Sequence, residues 1–272
     1  MIYLAMALIA NGFANGGLVD SAMTDAAGGV VLKQSKDVTL VSEKLTLKVL
    51  NGRHYTADAL YTFNSEKSQA IQYGIPLASP EYREDLEFIK RTLTVQLNQK
   101  TYRCEKIVFD EQSEEGPSKG WCLISLDMPK GDSIPLHLTY TGELLREDSQ
   151  TNKSIQVYYS PRQLNYDLFP AGYWNGNAKS IDITLDLGDL APYAKVSFDK
   201  PHKSEGNKLM WHYDDADLKK LGTLSVEMKL DDFLEHRDMV ELLKTNIHQK
   251  NTIIKASSTL PAQGKNTYAT SN

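Results

Sequence analysis

The run VTLVSEKLTLKVL, residues 38–50, alternates apolar and polar side chains, and similar alternation returns along most of the chain. A period of two sends successive side chains to opposite faces of a strand, so one face can be buried while the other stays in water. VVLKQ, HYTADALYTFN and AIQYGIPL read the same way, with Asn51-Gly52 and Asn64-Ser65 as turn signals. LYTFN and IQYGIPL are expected to pair as a hairpin. From Thr92 onward the pattern recurs in TLTVQLN, YRCEKIVF, GWCLISLDM, IPLHLTYTGEL, SIQVYYSP, SIDITLDL, AKVSFDK, KLMWHYDD and TLSVEMKL, joined by short polar connectors. Strand runs at this spacing without intervening helices predict a mainly β fold built as an antiparallel sandwich. With 272 residues there is room for one large sandwich or two smaller ones.

Two segments break the pattern. SPEYREDLEFIKRT offers Ser79 as a cap, Pro80 at the first helical position and acids in the first turn, predicting a short helix near 80–91. DDFLEHRDMVELLKTNIHQKN places Phe233, Leu234, Met239, Val240, Leu242, Leu243 and Ile247 at helical spacing, predicting a C-terminal helix near 232–249. The polar stretch LREDSQTNKS, 145–154, is either a long hairpin tip or a boundary. The expected layout is therefore a first β-rich domain over 26–150, a second or its continuation over 151–230, and a helical linker over 231–250.

Residues 1–14, MIYLAMALIANGFA, open with ten apolar residues. As a helix these reach roughly 15 Å, half a bilayer core, so no stable membrane span is expected. They fit the apolar region of a signal peptide cleaved after Ala14, with small Gly12 and Ala14 at −3 and −1, although no Lys or Arg precedes the run. The alternative is a buried first strand or helix. Export to the periplasm or beyond is the expected localisation. There Cys104 and Cys122, in strand-like runs either side of a charged loop, could pair as a disulfide; otherwise they pack as small buried thiols.

Composition narrows function more than it names it. The net charge is −5 and no Lys/Arg run with interleaved aromatics exists, which speaks against nucleic acid as a partner. The six histidines, His54, His137, His202, His212, His236 and His248, form no HxxxH or HExxH pair and read as ordinary strand and surface residues. Asp214, Asp215 and Asp217 in WHYDDADLKK lack the glycine and terminal glutamate of an EF-hand loop; Asp214 or Asp215 is expected to cap a helical turn. G-x-S-x-G, P-loop and G-x-G-x-x-G motifs are missing. No catalytic residue, metal or cofactor is therefore nominated.

The densest aromatic stretch is QVYYSPRQLNYDLFPAGYWNGN, 156–177. In one reading Tyr166, Tyr173 and Trp174 stack on sugar faces; in the other, buried aromatics pin this loop over the sandwich. The leading expectation is a non-catalytic binding or adhesion scaffold with a glycan or cell-surface partner. A secreted hydrolase using paired carboxylates and a structural partner-docking module are the alternatives.

Two stretches carry family resemblances. AGGVVLKQSKDVTLVSEKLTL, followed by YTADALYTFNSEKSQAIQYGIPLASPEY and later YDLFPAGYWNG, resembles the DUF4424 family of exported bacterial proteins over roughly residues 26 to 230. That resemblance implies an extracytoplasmic β-rich domain and no catalytic residue. The C-terminal IIKASSTLPAQGKNTYATSN resembles the first strand and loop of a discoidin-like domain, of the glycan-binding kind attached to secreted NADases. Ser257, Ser258, Tyr268 and Asn272 match that opening, which implies that 252–272 begin a further domain.

Overall fold

The computed structural model describes residues 13–14, 16–20, 32–77, 88, 90–109, 120–146 and 162–229. All of these fall in the first of two compact units, Met1–Leu230 and Asp231–Asn272. The helix expected near 232–249 and the segment 252–272 lie outside the described residues, as does most of the helix expected near 80–91. Of the latter, Phe88 and residues 90–92 are helical. No helix among the described residues is long and apolar enough to cross a membrane.

The chain is mainly β, and its described residues form three sheets, with strands numbered in chain order. The largest has eight strands, in spatial order β15 (Lys203–Glu205), β16 (Lys208–Ala216), β13 (Ala178–Asp186), β3 (Val38–Val49), β4 (His54–Ser65), β10 (Gly131–Glu143), β6 (Thr94–Leu97) and β7 (Lys100–Tyr102). A four-stranded sheet runs β2 (Gly17–Leu18), β5 (Gln69–Leu77), β9 (Gly120–Met128), β8 (Lys106–Phe109). The third runs β1 (Phe13–Ala14), β12 (Arg162–Asp167), β17 (Thr223–Met228), β14 (Ala194–Ser197), with β11 (Leu145–Arg146) also paired to β12. Pairing is antiparallel except for β13 with β3 and β1 with β12, which are parallel.

Burial along β3 shows how the alternation is used. Val38 and Leu40 face the core, and then the buried set becomes Glu43, Leu45, Leu47 and Val49. The phase slips by one because a β-bulge lies between Leu40 and Ser42 against β4. Unbroken alternation would instead bury Ser42, Lys44, Thr46 and Lys48. The bulge thus rescues three apolar residues, and with them it turns Glu43 inward.

Two local expectations are corrected. β4 and β5 do not form a hairpin: β4 lies between β3 and β10, whereas β5 pairs with β2 and β9 in another sheet. Asn64 and Ser65 belong to β4, and the chain leaves the strand only at Glu66. Residues 66–68 therefore carry the chain across the sandwich. Asn51-Gly52 does turn a hairpin, the Asn51 side chain accepting hydrogen bonds from the backbone N–H of Arg53 and His54. β13 and β16, from the second stretch, extend the sheet formed by β3, β4 and β10.

The three sheets meet around tyrosines. Tyr61 on β4, Tyr73 on β5 and Tyr166 on β12 are fully buried, one from each sheet, and Glu43 stands directly opposite Tyr61. Burial first, and then the negative charge of Glu43, pushes the Tyr73 phenol above its ordinary range. Tyr61 and Tyr166 are raised in the same direction, with burial again the largest cause and neighbouring tyrosines adding to it. These phenols stay neutral at physiological pH and serve as packing groups with polar tips.

Candidate functional site

The aromatic stretch is the natural place to begin. β12 delivers Tyr166 into the core, and a 3₁₀ turn, Phe169–Tyr173, with Pro170 near its start, then reverses the chain. Trp174 leaves this turn into the space between the layers. Its ring centroid lies 4.7 Å from that of Phe63, edge-on, and 6.3 Å from that of Tyr73. Only 1% of Trp174 and none of Tyr166 is exposed to solvent. The expectation that these two rings stack on a sugar is therefore corrected: a ring with both faces packed offers no platform.

Tyr173 is half-buried, and its ring faces the Lys219 ammonium, 4.3 Å from the centroid. Lys219 Nζ also donates to Gln34 Oε1 at 2.7 Å, and Gln34 Nε2 donates to the Trp174 carbonyl at 2.6 Å. Lys219 sits on a one-turn helix, Leu218–Leu221, capped by the Asp217 carboxylate. The cap is thus Asp217 and not Asp214 or Asp215, because β16 runs on to Ala216. A side chain at Gly172 would lie 2.8 Å from the Lys219 backbone nitrogen, so glycine lets this helix sit directly on the aromatic turn.

Cys104 and Cys122 are joined by a disulfide, their Cα atoms 5.5 Å apart. Cys122 lies on β9, opposite Ile107 of β8, and Cys104 lies in the irregular segment that leads into β8. The bridge thus closes the open end of the β8–β9 pair.

A different surface gathers more chemistry. On the side of the eight-stranded sheet away from the core, His212, Asp182, Lys44, Leu60, His137 and Gln96 stand opposite one another across six strands. At normal strand spacing this row spans roughly 24 Å. The adjacent row reads Met210, Thr184, Thr46, Asp58, Thr139 and Thr94. Each histidine in the first row holds a carboxylate from a neighbouring strand: His137 Nε2 lies 2.9 Å from Asp58 Oδ1, and His212 Nδ1 lies 2.8 Å from Asp182 Oδ1. Asp214 approaches the other nitrogen of His212 at 3.2 Å.

At the β15 edge His212 gains a further neighbour through its backbone, while Tyr213, the next residue, turns to the opposite side of β16. The His212 backbone N–H donates to His202 Nδ1 at 3.0 Å, and the His202 ring packs 5.4 Å from that of Tyr213. The Tyr213 hydroxyl donates to Asp199 Oδ2 at 2.9 Å. Sequence inspection passes over this group because His202 and His212 are ten residues apart with no motif between them; the β15–β16 turn brings them together. Among the described residues, no group of three or more His, Cys, Asp or Glu side chains is arranged to hold a metal ion. What the face offers is a fixed array of hydroxyls, imidazoles and carboxylates directed at solvent.

His212 is held protonated to higher pH than an ordinary imidazole, first by its hydrogen bond to Asp182, with desolvation opposing it and the charges of Asp182 and Asp214 adding to it. A raised histidine pKa adds stability that is complete below the unfolded value and fades as pH rises through the folded one. An NMR titration should place the His212 midpoint above the ordinary value of about 6.5. Asp182→Asn should move it back down; an unchanged midpoint in that variant would show that the pair does not form in solution.

The fold and this face define a mainly β sandwich protein with one open, polar sheet surface. No family model matches the chain, and no curated protein matches it. Solved structures resemble it distantly. A Legionella pneumophila protein provisionally named for nutrient binding shares 11% identity at a TM-score of 0.47, over 79% of this chain and 70% of its own. An M1 zinc metallopeptidase from Deinococcus radiodurans shares 12% identity at a TM-score of 0.36, over 72% of this chain and 43% of its own. An aminopeptidase N family protein from Idiomarina loihiensis shares 13% identity at a TM-score of 0.31, over 68% of this chain and 29% of its own. The chain spans less than half the length of either peptidase. Likenesses this distant bear on neither activity nor ligand.

Proposed function

We propose that the chain is a non-catalytic, extracytoplasmic binding scaffold that takes a carbohydrate on the open face of its eight-stranded sheet. The observation that carries this reading is the pair of cross-strand rows, in which threonine hydroxyls and His–Asp pairs are pre-positioned on a rigid sheet. Such a face suits a hydroxyl-rich ligand held by many modest hydrogen bonds. The disulfide and the apolar N-terminal run support export. Hydrolysis by paired carboxylates is less well supported. The two buried acids among the described residues, Glu43 and Asp167, do not converge: Glu43 lies on the Tyr166 side of β12, and Asp167, the residue after Tyr166, points the other way onto the Thr223 hydroxyl.

Docking of a protein partner on the same face is the second reading, favoured by the burial of the aromatic turn. Glycan-array binding by the folded protein, followed by affinity measurement on Thr46→Val/Asp58→Ala and His212→Ala variants, separates the two. Carbohydrate binding through this face predicts at least about tenfold weaker binding in each variant, equivalent to one or two lost hydrogen bonds. Glycan binding that survives both changes removes the assignment of the face. A folded wild-type protein that binds no glycan removes the carbohydrate reading and leaves partner docking.

A further inference from the structure

The segment that ends the expected leader is also part of the fold. Phe13 and Ala14 form β1, parallel to β12, with Phe13 opposite Tyr166 and Ala14 opposite Asp167. Gly17 and Leu18 then form β2 against Gly74 and Tyr73 of β5. Val19 continues the path, its N–H donating to the Gln72 carbonyl at 2.9 Å, and the Leu18 carbonyl accepts from Lys33 N–H at 2.8 Å. In eight residues the chain therefore pairs with an edge of each smaller sheet and ties them into one layer facing the eight-stranded sheet. Gly16 marks how close this strap lies: a Cβ there would come within 2.1 Å of the Tyr73 ring. Gly16 and Gly17 are both buried.

A cut after Ala14 would undo half of this. It would strip β1 from β12 and expose the backbone edge of Tyr166–Asp167, although both residues are buried. The sequence offers a second frame that keeps β1. Cleavage after Gly12 places small Ala10 and Gly12 at −3 and −1, which satisfies the same small-residue requirement. The new amine then falls on Phe13, at the start of β1.

We infer that the mature protein begins at Phe13, and that Phe13–Asp20 is retained as a strap joining the two smaller sheets. The inference rests on the export reading above, and its test keeps the two apart. The full chain is expressed with its own leader in a bacterial host, and the periplasmic product is analysed by intact mass and N-terminal sequencing. The expected first residue is Phe13. Asn15 as the first residue overturns the inference and leaves export standing, whereas an uncleaved chain retained in the cytoplasm removes the export reading and the inference together. Ala14→Leu gives an independent check, because Gly12→Leu disturbs −1 of this frame and −3 of the other alike: Ala14→Leu should leave processing intact, and loss of processing in that variant overturns the assignment. Purified chains starting at Phe13 and at Asn15 supply a readout on the fold. The Phe13 chain should unfold at the higher denaturant concentration; equal midpoints would show that β1 contributes nothing.

Discussion

Trp174→Ala is expected to be the most damaging single substitution on the described surface or core, lowering stability by about 3–5 kcal/mol. The side chain is 1% exposed and fills the space between layers, edge-on to Phe63 and tilted against Tyr73. Truncation removes a large apolar surface and leaves a cavity that rigid sheets on either side cannot close. Small domains have only about 5–15 kcal/mol of stability in total, so the loss should be plain in a urea or guanidinium titration. A midpoint within error of wild type would show that Trp174 is not packed as described. Trp174→Phe keeps an aromatic ring there and should recover most of the loss. Any effect of Trp174→Ala on ligand binding should then track the unfolded fraction and vanish under conditions where the variant is fully folded.

Reduction of Cys104–Cys122 should produce the second large effect. The bridge closes a loop with a sequence separation of 18 residues, for which restriction of the unfolded chain gives about 3 kcal/mol. It also joins β9, through fully buried Cys122, to the segment leading into the edge strand β8. Wild-type protein measured with and without reductant should show a lower midpoint when reduced, and alkylation should then label two thiols. Identical midpoints would mean either that the bridge is not formed in solution or that the β8–β9 pair needs no cross-link. Titration of free thiols in the oxidised sample distinguishes those outcomes. The comparison is cleaner than replacing Cys122, whose substitution would also disturb the core.

How much of this was legible in the residues varies from element to element. VTLVSEKLTLKVL announces a strand, and its change of phase between Leu40 and Glu43 is visible once a bulge is considered. Antiparallel neighbours joined by short turns, such as β3 and β4 across Asn51-Gly52, follow from local chemistry. LYTFN and IQYGIPL carry equally good strand patterns, yet β4 and β5 lie in different sheets. Nothing in their own residues distinguishes a hairpin from a crossing, because that choice depends on which other strands compete for each edge. The parallel pairing of β13 with β3 is further from view still, joining residues more than a hundred positions apart.

The site shows the same division for a sharper reason. Tyr166 and Trp174 have side chains equally suited to a sugar platform and to a core, and composition cannot choose between them. Burial chose: β12 turns Tyr166 inward, and the turn after it sends Trp174 between the layers. His212 and His202, unremarkable in the chain, become neighbours only through the β15–β16 turn, and His212 meets Asp182 only through strand pairing. Alternation, turns and charge are local properties, so the chain alone was enough to define strands, a mainly β class and an absence of familiar catalytic motifs. Which strands share a sheet, which aromatics are sealed and which polar groups form a common face are decided by long-range pairing, where many remote edges and faces must be satisfied at once. The strap at Phe13–Asp20 joins both levels: its first two residues read as the end of a leader, and only pairing with β12 and β5 gives the segment a place in the fold.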